Sequence, residues 1–157
     1  MRFTADSSVL ARLYLDDDAA STISRFLADD NKVAGVSELA RIEVLNVLIQ
    51  NAELGAAARF EQDLREGLRL RLERVNWEDA FQQAESLARR FSRTLRPGGH
   101  DLVLVAAAVT AGATCFLSMD RASCQRALAA AAGLQVWPAL DNNEKGLVRH
   151  AARQTSS

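Results

Sequence analysis

Asp6, Glu43, Asp101 and Asp120 are the residues of this chain whose type and setting could carry chemistry. Asp6 follows Arg-Phe-Thr-Ala, Asp101 precedes an uninterrupted apolar run over residues 102–109, and Asp120 stands just past Cys115-Phe116-Leu117. In an α/β sheet the carboxyl ends of the strands and the starts of the following helices line one crevice. Asp6 and Asp120 are then expected at one sheet edge, with Asp101 opening the helix before the Asp120 strand. Glu43 comes about two turns into the helix after the second strand, close enough to lean over the same edge. Four carboxylates within several ångströms repel strongly at neutral pH. A hard divalent cation resolves that conflict, and oxygen-only ligands favour Mg²⁺ or Mn²⁺ over zinc. The chemistry suited to such a site is metal-assisted phosphodiester hydrolysis.

Each acid also has a plainer reading. Asp is a favoured N-cap, so Asp6, Asp101 and Asp120 taken singly read as helix caps. Glu43 has Leu39 and Val47 four residues to either side, with Ile42, Val44 and Leu45 adjacent. A carboxylate in so apolar a helix is costly to bury unless paired or metal-bound; the alternative is a Glu at the rim of the stripe, facing solvent. Arg89, Arg93 and Arg96 fall at i, i+4 and i+7. They read either as a basic track for phosphates or as a solvated face near a helix C-terminus. His100 is assigned a loop or capping role. Tyr14 and Trp137 read as core or rim residues, which leaves few aromatic platforms for stacking bases.

The elements that must position these residues follow from periodicity. Strands are expected at 2–5, 32–36, 70–75, 114–118 and 135–137. Helices are expected around Val9–Tyr14, through Ile23, Phe26 and Leu27, from Ser37 to about Ala52, and over Leu54–Leu68. Further helices should carry Ala80, Ala84, Leu87, Phe91 and Leu95 on one inner face, the run 102–109, and residues 121–132. The run Asp16-Asp17-Asp18 reads as a loop leading to a helix N-terminus. Alternation of apolar and charged residues at 70–75 marks an edge strand with one covered face. Pro97-Gly98-Gly99 stops one helix and Gly133 ends another. Strands alternating with helices indicate an α/β fold: a three-layer α/β/α sandwich around a five-stranded, mainly parallel sheet. The domain is expected to span 1–140, followed by a polar C-terminal tail, 141–157, that frays.

At 157 residues, with 48% hydrophobic and 25% charged residues, the chain is long enough to bury a core and too apolar to be disordered. No apolar run reaches the length of a membrane span and no leader pattern opens the chain, so neither membrane insertion nor secretion is expected; the expected location is the cytoplasm. Cys115 and Cys124 lie nine apart without accompanying His, which argues against zinc and for reduced thiols. A net charge of −1 supplies no global field for nucleic acid. The 17 Arg against 2 Lys suit phosphate recognition, although a GC-rich genome gives the same bias. No Gly-x-Gly-x-x-Gly follows any strand, and where a phosphotransfer domain needs paired acids or Asp-x-Asp after strand one, with a late-strand Lys, this chain has Asp6-Ser7-Ser8 and no such Lys.

Four motifs in order resemble the PIN-domain ribonucleases of the VapC toxin type. Asp6-Ser7-Ser8 with Leu10 and Leu13-Tyr14 resembles that family's opening "DSSxLxxLY". Ser37 with Glu43, Asp101 before an Ala-rich helix, and Ser118-x-Asp120 followed by Gly133-Leu134-Gln135-Val136 resemble the second, third and fourth. The resemblance covers about residues 2–138. It implies Asp6, Asp101 and Asp120 as metal ligands, with Glu43 binding metal or orienting the attacking water. Ser7 and Ser118 would support these carboxylates by hydrogen bonds, a plain turn or capping role being the alternative for each. Relatives often carry His three residues after the third acid, where this chain has Leu104. The resemblance further implies an RNA substrate, Mg²⁺ or Mn²⁺, a cognate antitoxin and a homodimer. A non-catalytic module that keeps the fold and binds a protein partner is the rival reading.

Overall fold

The computed structural model describes every residue except Asp16, Asp30, Asn31, Ser156 and Ser157, and the side chain of Thr155. Asp16 of the expected acidic loop therefore lies outside the described residues. The strands form one five-stranded sheet in the order β3-β2-β1-β4-β5, with eight helices among the described residues, so the parallel α/β architecture expected from periodicity is the one observed. The chain groups into two compact units, Arg2–Arg74 and, with Met1, Val75–Ser157.

The first unit contains β1 (Phe3–Ala5), α1 (Ser7–Tyr14), α2 (Ala20–Ala28), β2 (Ala34–Ser37), α3 (Glu38–Gln50), α4 (Leu54–Glu66) and β3 (Leu70–Glu73). β1 and β2 are buried at every position, the continuous burial typical of parallel strands covered on both faces. Phe3 and Phe26 meet edge-on at 5.7 Å, as do Tyr14 and Phe60 at 5.4 Å. α3 begins where Ser37 Oγ accepts the amide of Ala40 at 3.1 Å. α4 ends on Gly67, whose φ of 68° lies in the left-handed region that glycine enters without a Cβ penalty.

β3 departs from the expected alternation. Leu70 is buried, but Leu72 is 37% exposed and Glu73 is 4% exposed, so the charged residue and not the second leucine turns inward. The reason lies across the sheet. Arg2 donates through Nε and Nη2 to Glu73 Oε1 at 3.1 and 3.0 Å, and Thr4 Oγ1 donates to Oε2 at 3.0 Å. Parallel pairing sets Thr4 beside Gly35 and Ser37 beside Glu73, which puts all of them on one face. The Glu73 carboxylate occupies the space where a Cβ on residue 35 would project. Gly35→Ala is therefore expected to push the carboxylate off Arg2 and Thr4, costing about 1–3 kcal/mol in urea unfolding. The same substitution in a Glu73→Ala background should cost much less, because the coupled group is gone. Additive costs in that double-mutant cycle would refute the packing account.

The second unit contains α5 (Trp77–Leu95), α6 (Gly99–Thr110), β4 (Cys115–Leu117), α7 (Gln125–Ala131), β5 (Gln135–Trp137) and α8 (Asn142–Thr155). All five residues expected on the inner face of α5 are buried. Residues 104–108 of α6 are buried on all sides, as an uninterrupted apolar helix must be. Their core also holds Phe116, Leu128, Ala129 and Ala151. Burial pushes the Cys115 thiol up to about 11, which keeps it protonated at neutral pH.

Strand and helix ends otherwise fall within about two residues of expectation, and two larger differences stand in the second unit. The helix expected from 121 begins at Gln125, because side chains capture the intervening amides: Asp120 Oδ1 accepts from Ala122 and Ser123, and Ser123 Oγ from Gln125. Such local bonds compete with helix formation. The segment expected to fray after Leu140 instead forms α8, packed on α5 and α7, with Ala151 fully buried. Its start is a reciprocal cap: Asp141 Oδ1 accepts from Glu144 N at 2.9 Å while Glu144 Oε2 accepts from Asp141 N at 2.8 Å. Burial alone would raise the Glu144 carboxyl, but the Arg126 hydrogen bond, the Asp141 amide and the Arg126 charge outweigh it and hold the group below its ordinary range. A depressed carboxyl stabilises the fold above its ordinary pKa and loses that contribution as pH falls through the folded value. Below about pH 4.5, wild type should therefore lose stability more steeply than Glu144→Gln, read as melting temperature against pH. Parallel curves would remove Glu144 from the acid response.

Candidate functional site

Asp6 follows β1 directly and caps α1. It is buried, and its Oδ1 accepts from Ser8 N at 3.0 Å, Ser8 Oγ at 2.7 Å and Val9 N at 3.2 Å. The hydroxyl that holds Asp6 is thus that of Ser8, whereas the expected support, Ser7, is the first residue of α1. Glu43 sits in the second turn of α3, half-buried, with Oε2 shielded from solvent, so the purely solvent-facing alternative does not describe it.

Asp101 is the third residue of α6, and its Oδ2 accepts from Gly98 N at 3.2 Å. His100 falls in the first turn of that helix and is exposed. Asp120 lies beyond β4, its Oδ1 taking the amides of Ala122 at 2.8 Å and Ser123 at 3.3 Å. Ser118 is fully buried. Its Oγ accepts from Asp120 N at 3.2 Å and donates to Gln125 Oε1 at 3.1 Å, so it supports Asp120 through the backbone and not through the carboxylate.

The three aspartates share one construction. Each follows a strand or opens a helix, and each takes backbone amides on one carboxylate oxygen. For Asp101 and Asp120 these bonds leave the other carboxylate oxygen as a further donor atom, so capping does not compete with metal ligation; it fixes the direction in which the second oxygen points. Asp6 and Glu43 belong to the first unit, Asp101 and Asp120 to the second. Among the described residues, no three or more His, Cys, Asp or Glu side chains form a ready-made metal cage. The chemistry of the donor set, carboxylate oxygen only, suits a hard divalent cation.

The arginine track is only partly formed. Arg89 and Arg93 are exposed on α5, and Arg89 Nη2 lies 4.0 Å from Glu85 Oε2, a solvated pair of small energetic weight. Arg96 has left the helix: it is the C-cap, with φ 50° and ψ 47°, because Pro97 cannot continue the hydrogen-bonding ladder. The expected i+7 position on one face is therefore lost.

Two arrangements went unread in the sequence. Arg126, in the first turn of α7, is 0% exposed and bonds both Ser118 O and Glu144. Its sequence signal is slight: a charge immediately before the apolar run from Ala127 to Ala132. Tyr14, expected as core or rim, is buried and donates its hydroxyl to Asp63 Oδ2, which Arg69 Nη2 also approaches at 2.7 Å. Burial and that carboxylate raise the phenol well above its ordinary range. A cleft of about 370 Å³ opens beside them, lined also by Leu13, Ser24, Arg59 and Gln62.

The family model of the PIN domain matches residues 4–131. The structure of VapC20 from Mycobacterium tuberculosis, described as a sarcin-ricin loop cleaving toxin, aligns with a TM-score of 0.59 at 22% identity, covering 75% of this chain and 89% of that one. PAE2754 from Pyrobaculum aerophilum aligns with a TM-score of 0.53 at 17% identity, covering 98% and 97%. No curated protein matches the chain.

Proposed function

The chain belongs to the PIN-domain family, and we propose that it is a metal-dependent endoribonuclease, the toxin of a toxin–antitoxin pair. The observation that carries this reading is the common anchoring of the three aspartates: backbone amides hold one oxygen of each at a strand end or helix start. The likeness in fold to a toxin described as cleaving the sarcin-ricin loop supports RNA as the substrate.

In this reading Asp6, Asp101 and Asp120 hold the cation, and Glu43 either joins them or accepts a hydrogen bond from the attacking water. Mg²⁺ or Mn²⁺, when bound, supplies Lewis acidity toward the phosphodiester and toward water. The water oxygen bonds to phosphorus as it gives up a proton, the P–O3′ bond breaks, O3′ takes up a proton from solvent, and the products are a 5′-phosphate and a 3′-hydroxyl. Purified protein should cut single-stranded or loop RNA with Mg²⁺ or Mn²⁺ and stop when a chelator is added. Cleavage that survives chelation and leaves 2′,3′-cyclic phosphates would overturn the reading.

An unrestrained nuclease of this kind requires a restraint, and a small antitoxin laying a segment beside the carboxylates, with a basic side chain among them, meets that need. Homodimerisation is part of the same reading. Ile42 and Ile49 are exposed seven residues apart on α3, hence on one side of it, and Leu54 at the start of α4 is exposed as well. Among the described residues no helix is long and apolar enough to cross a membrane, and the cytoplasm is where this substrate and partner would be met. Coexpression with a small protein encoded beside this gene should yield a complex; its failure, together with harmless expression of the active chain alone, would remove the antitoxin.

A further inference from the structure

The C-terminal helix is bonded to the turn that carries Asp120. Arg126 is the hub. Its guanidinium is fully buried and makes a polar contact through every nitrogen: Nε to Glu144 Oε1 at 2.6 Å, Nη1 to Ser118 O, and Nη2 to Pro138 O at 2.8 Å, Ala139 O at 3.3 Å and Glu144 Oε2 at 3.4 Å. One planar group thus reaches the end of β4, the link after β5 and the first turn of α8. A second tie runs in parallel, since Arg121 Nη1, one residue past Asp120, lies 3.7 Å from Asp141 Oδ2 at the cap of α8. Ser118 is held on its remaining sides: its amide donates to Trp137 O at 3.0 Å, and its hydroxyl links Asp120 N to Gln125.

A buried ion pair of this kind adds little stability over a well-packed apolar pair of the same volume. What an apolar plug cannot supply is direction: it fills the space without fixing where the Ser118 carbonyl points. Arginine, with a rigid fork of donors, does both. Two residues beyond that carbonyl stands Asp120, whose aim depends on the path of the turn.

We propose that Arg126 is a positioning residue for Asp120, and that α8, through Glu144, sets the conformation of the Ser118–Asp120 turn. The proposal rests on the reading of Asp120 as a metal-holding acid for its consequence in cleavage, but not for its structural half. The C-terminal helix is thereby part of the site's support, and a partner or modification that loosens the first turn of α8 would reach Asp120 without touching it.

The test uses the full-length chain with Glu144→Gln, which keeps volume and removes the charge. Glu61→Gln serves as the control for loss of an arginine–glutamate pair, breaking the more exposed Arg41–Glu61 bridge at 2.8 Å in the first unit. Hydrogen exchange of the amides from Ser118 to Ser123 should quicken about tenfold or more in Glu144→Gln and not in Glu61→Gln, with α6 amides unchanged in both. In RNA cleavage with Mn²⁺, kcat should fall by about 10–100-fold with KM within about twofold, the signature of a misaimed group. Arg126→Lys, which keeps the charge without the fork, should show the same split. Unchanged exchange at 118–123, or a wild-type kcat in folded Glu144→Gln, overturns the proposal. Wild type inactive on RNA would instead remove the nuclease reading, and the exchange arm would still decide the clamp. Should Glu144→Gln not fold, Glu144→Asp, charged but shorter, carries both readouts with the same decisive outcomes.

Discussion

Asp120→Asn, Asp101→Asn and Asp6→Asn are each expected to lower metal-dependent RNA cleavage by about 10²–10³-fold, the usual loss when one transition-state-stabilising group is removed. The fold should not suffer. Each aspartate uses one oxygen to take backbone amides, as Asp120 does with Ala122 and Ser123, and Asn caps a turn or helix about as well as Asp. If the acids also repel one another in the metal-free protein, removing one charge holds or raises its stability. Mn²⁺ at about a hundred times its Kd should add about 2.7 kcal/mol to wild type and much less to the variants. Glu43→Gln should follow the same pattern, since its shielded Oε2 already places it away from bulk water. The measurement is a thermal melt of the five proteins with and without Mn²⁺ beside their cleavage rates. Equal metal responses and unchanged cleavage throughout would show that the three aspartates are helix and turn caps and nothing more, and that Glu43 has no part in a metal site.

The largest expected loss of stability belongs to Arg126→Leu. The substitution strips Glu144 of its guanidinium and leaves the carbonyls of Ser118 and Pro138 without that donor. Breaking a buried pair from one side costs about 3–5 kcal/mol, because the remaining charge stays behind. For a chain of this length that corresponds to a fall of roughly 6–20 °C in melting temperature. The double variant Arg126→Leu/Glu144→Leu should recover a good part of it by removing the orphaned charge as well. A single variant that melts within a degree of wild type would mean that water or a shifted backbone replaces the clamp without cost.

Where a feature depends on neighbours a few residues apart, the chain announces it. The inner face of α5, the apolar stretch 102–109 of α6, the Ser37 cap and the turns before α1 and α6 all follow from periodicity, chain stiffness and capping, which act over one or two turns. The placing of Asp6, Asp101 and Asp120 at strand ends and helix starts is legible on the same terms, because these are local events. Asp141 and Glu144 with Leu147, Val148 and Ala151 also spelled a capped amphipathic helix, and there the polarity of the segment hid a local signal. Other features depend on partners far along the chain. Glu73 turns inward only because Arg2 and Thr4, 71 and 69 residues away, meet it over a glycine without a side chain. Arg126 is buried only because Glu144, 18 residues on, arrives with the carbonyls that complete its shell. Burying a charge is unfavourable until every partner is present, and their convergence is a property of the packed chain, not of any stretch of it.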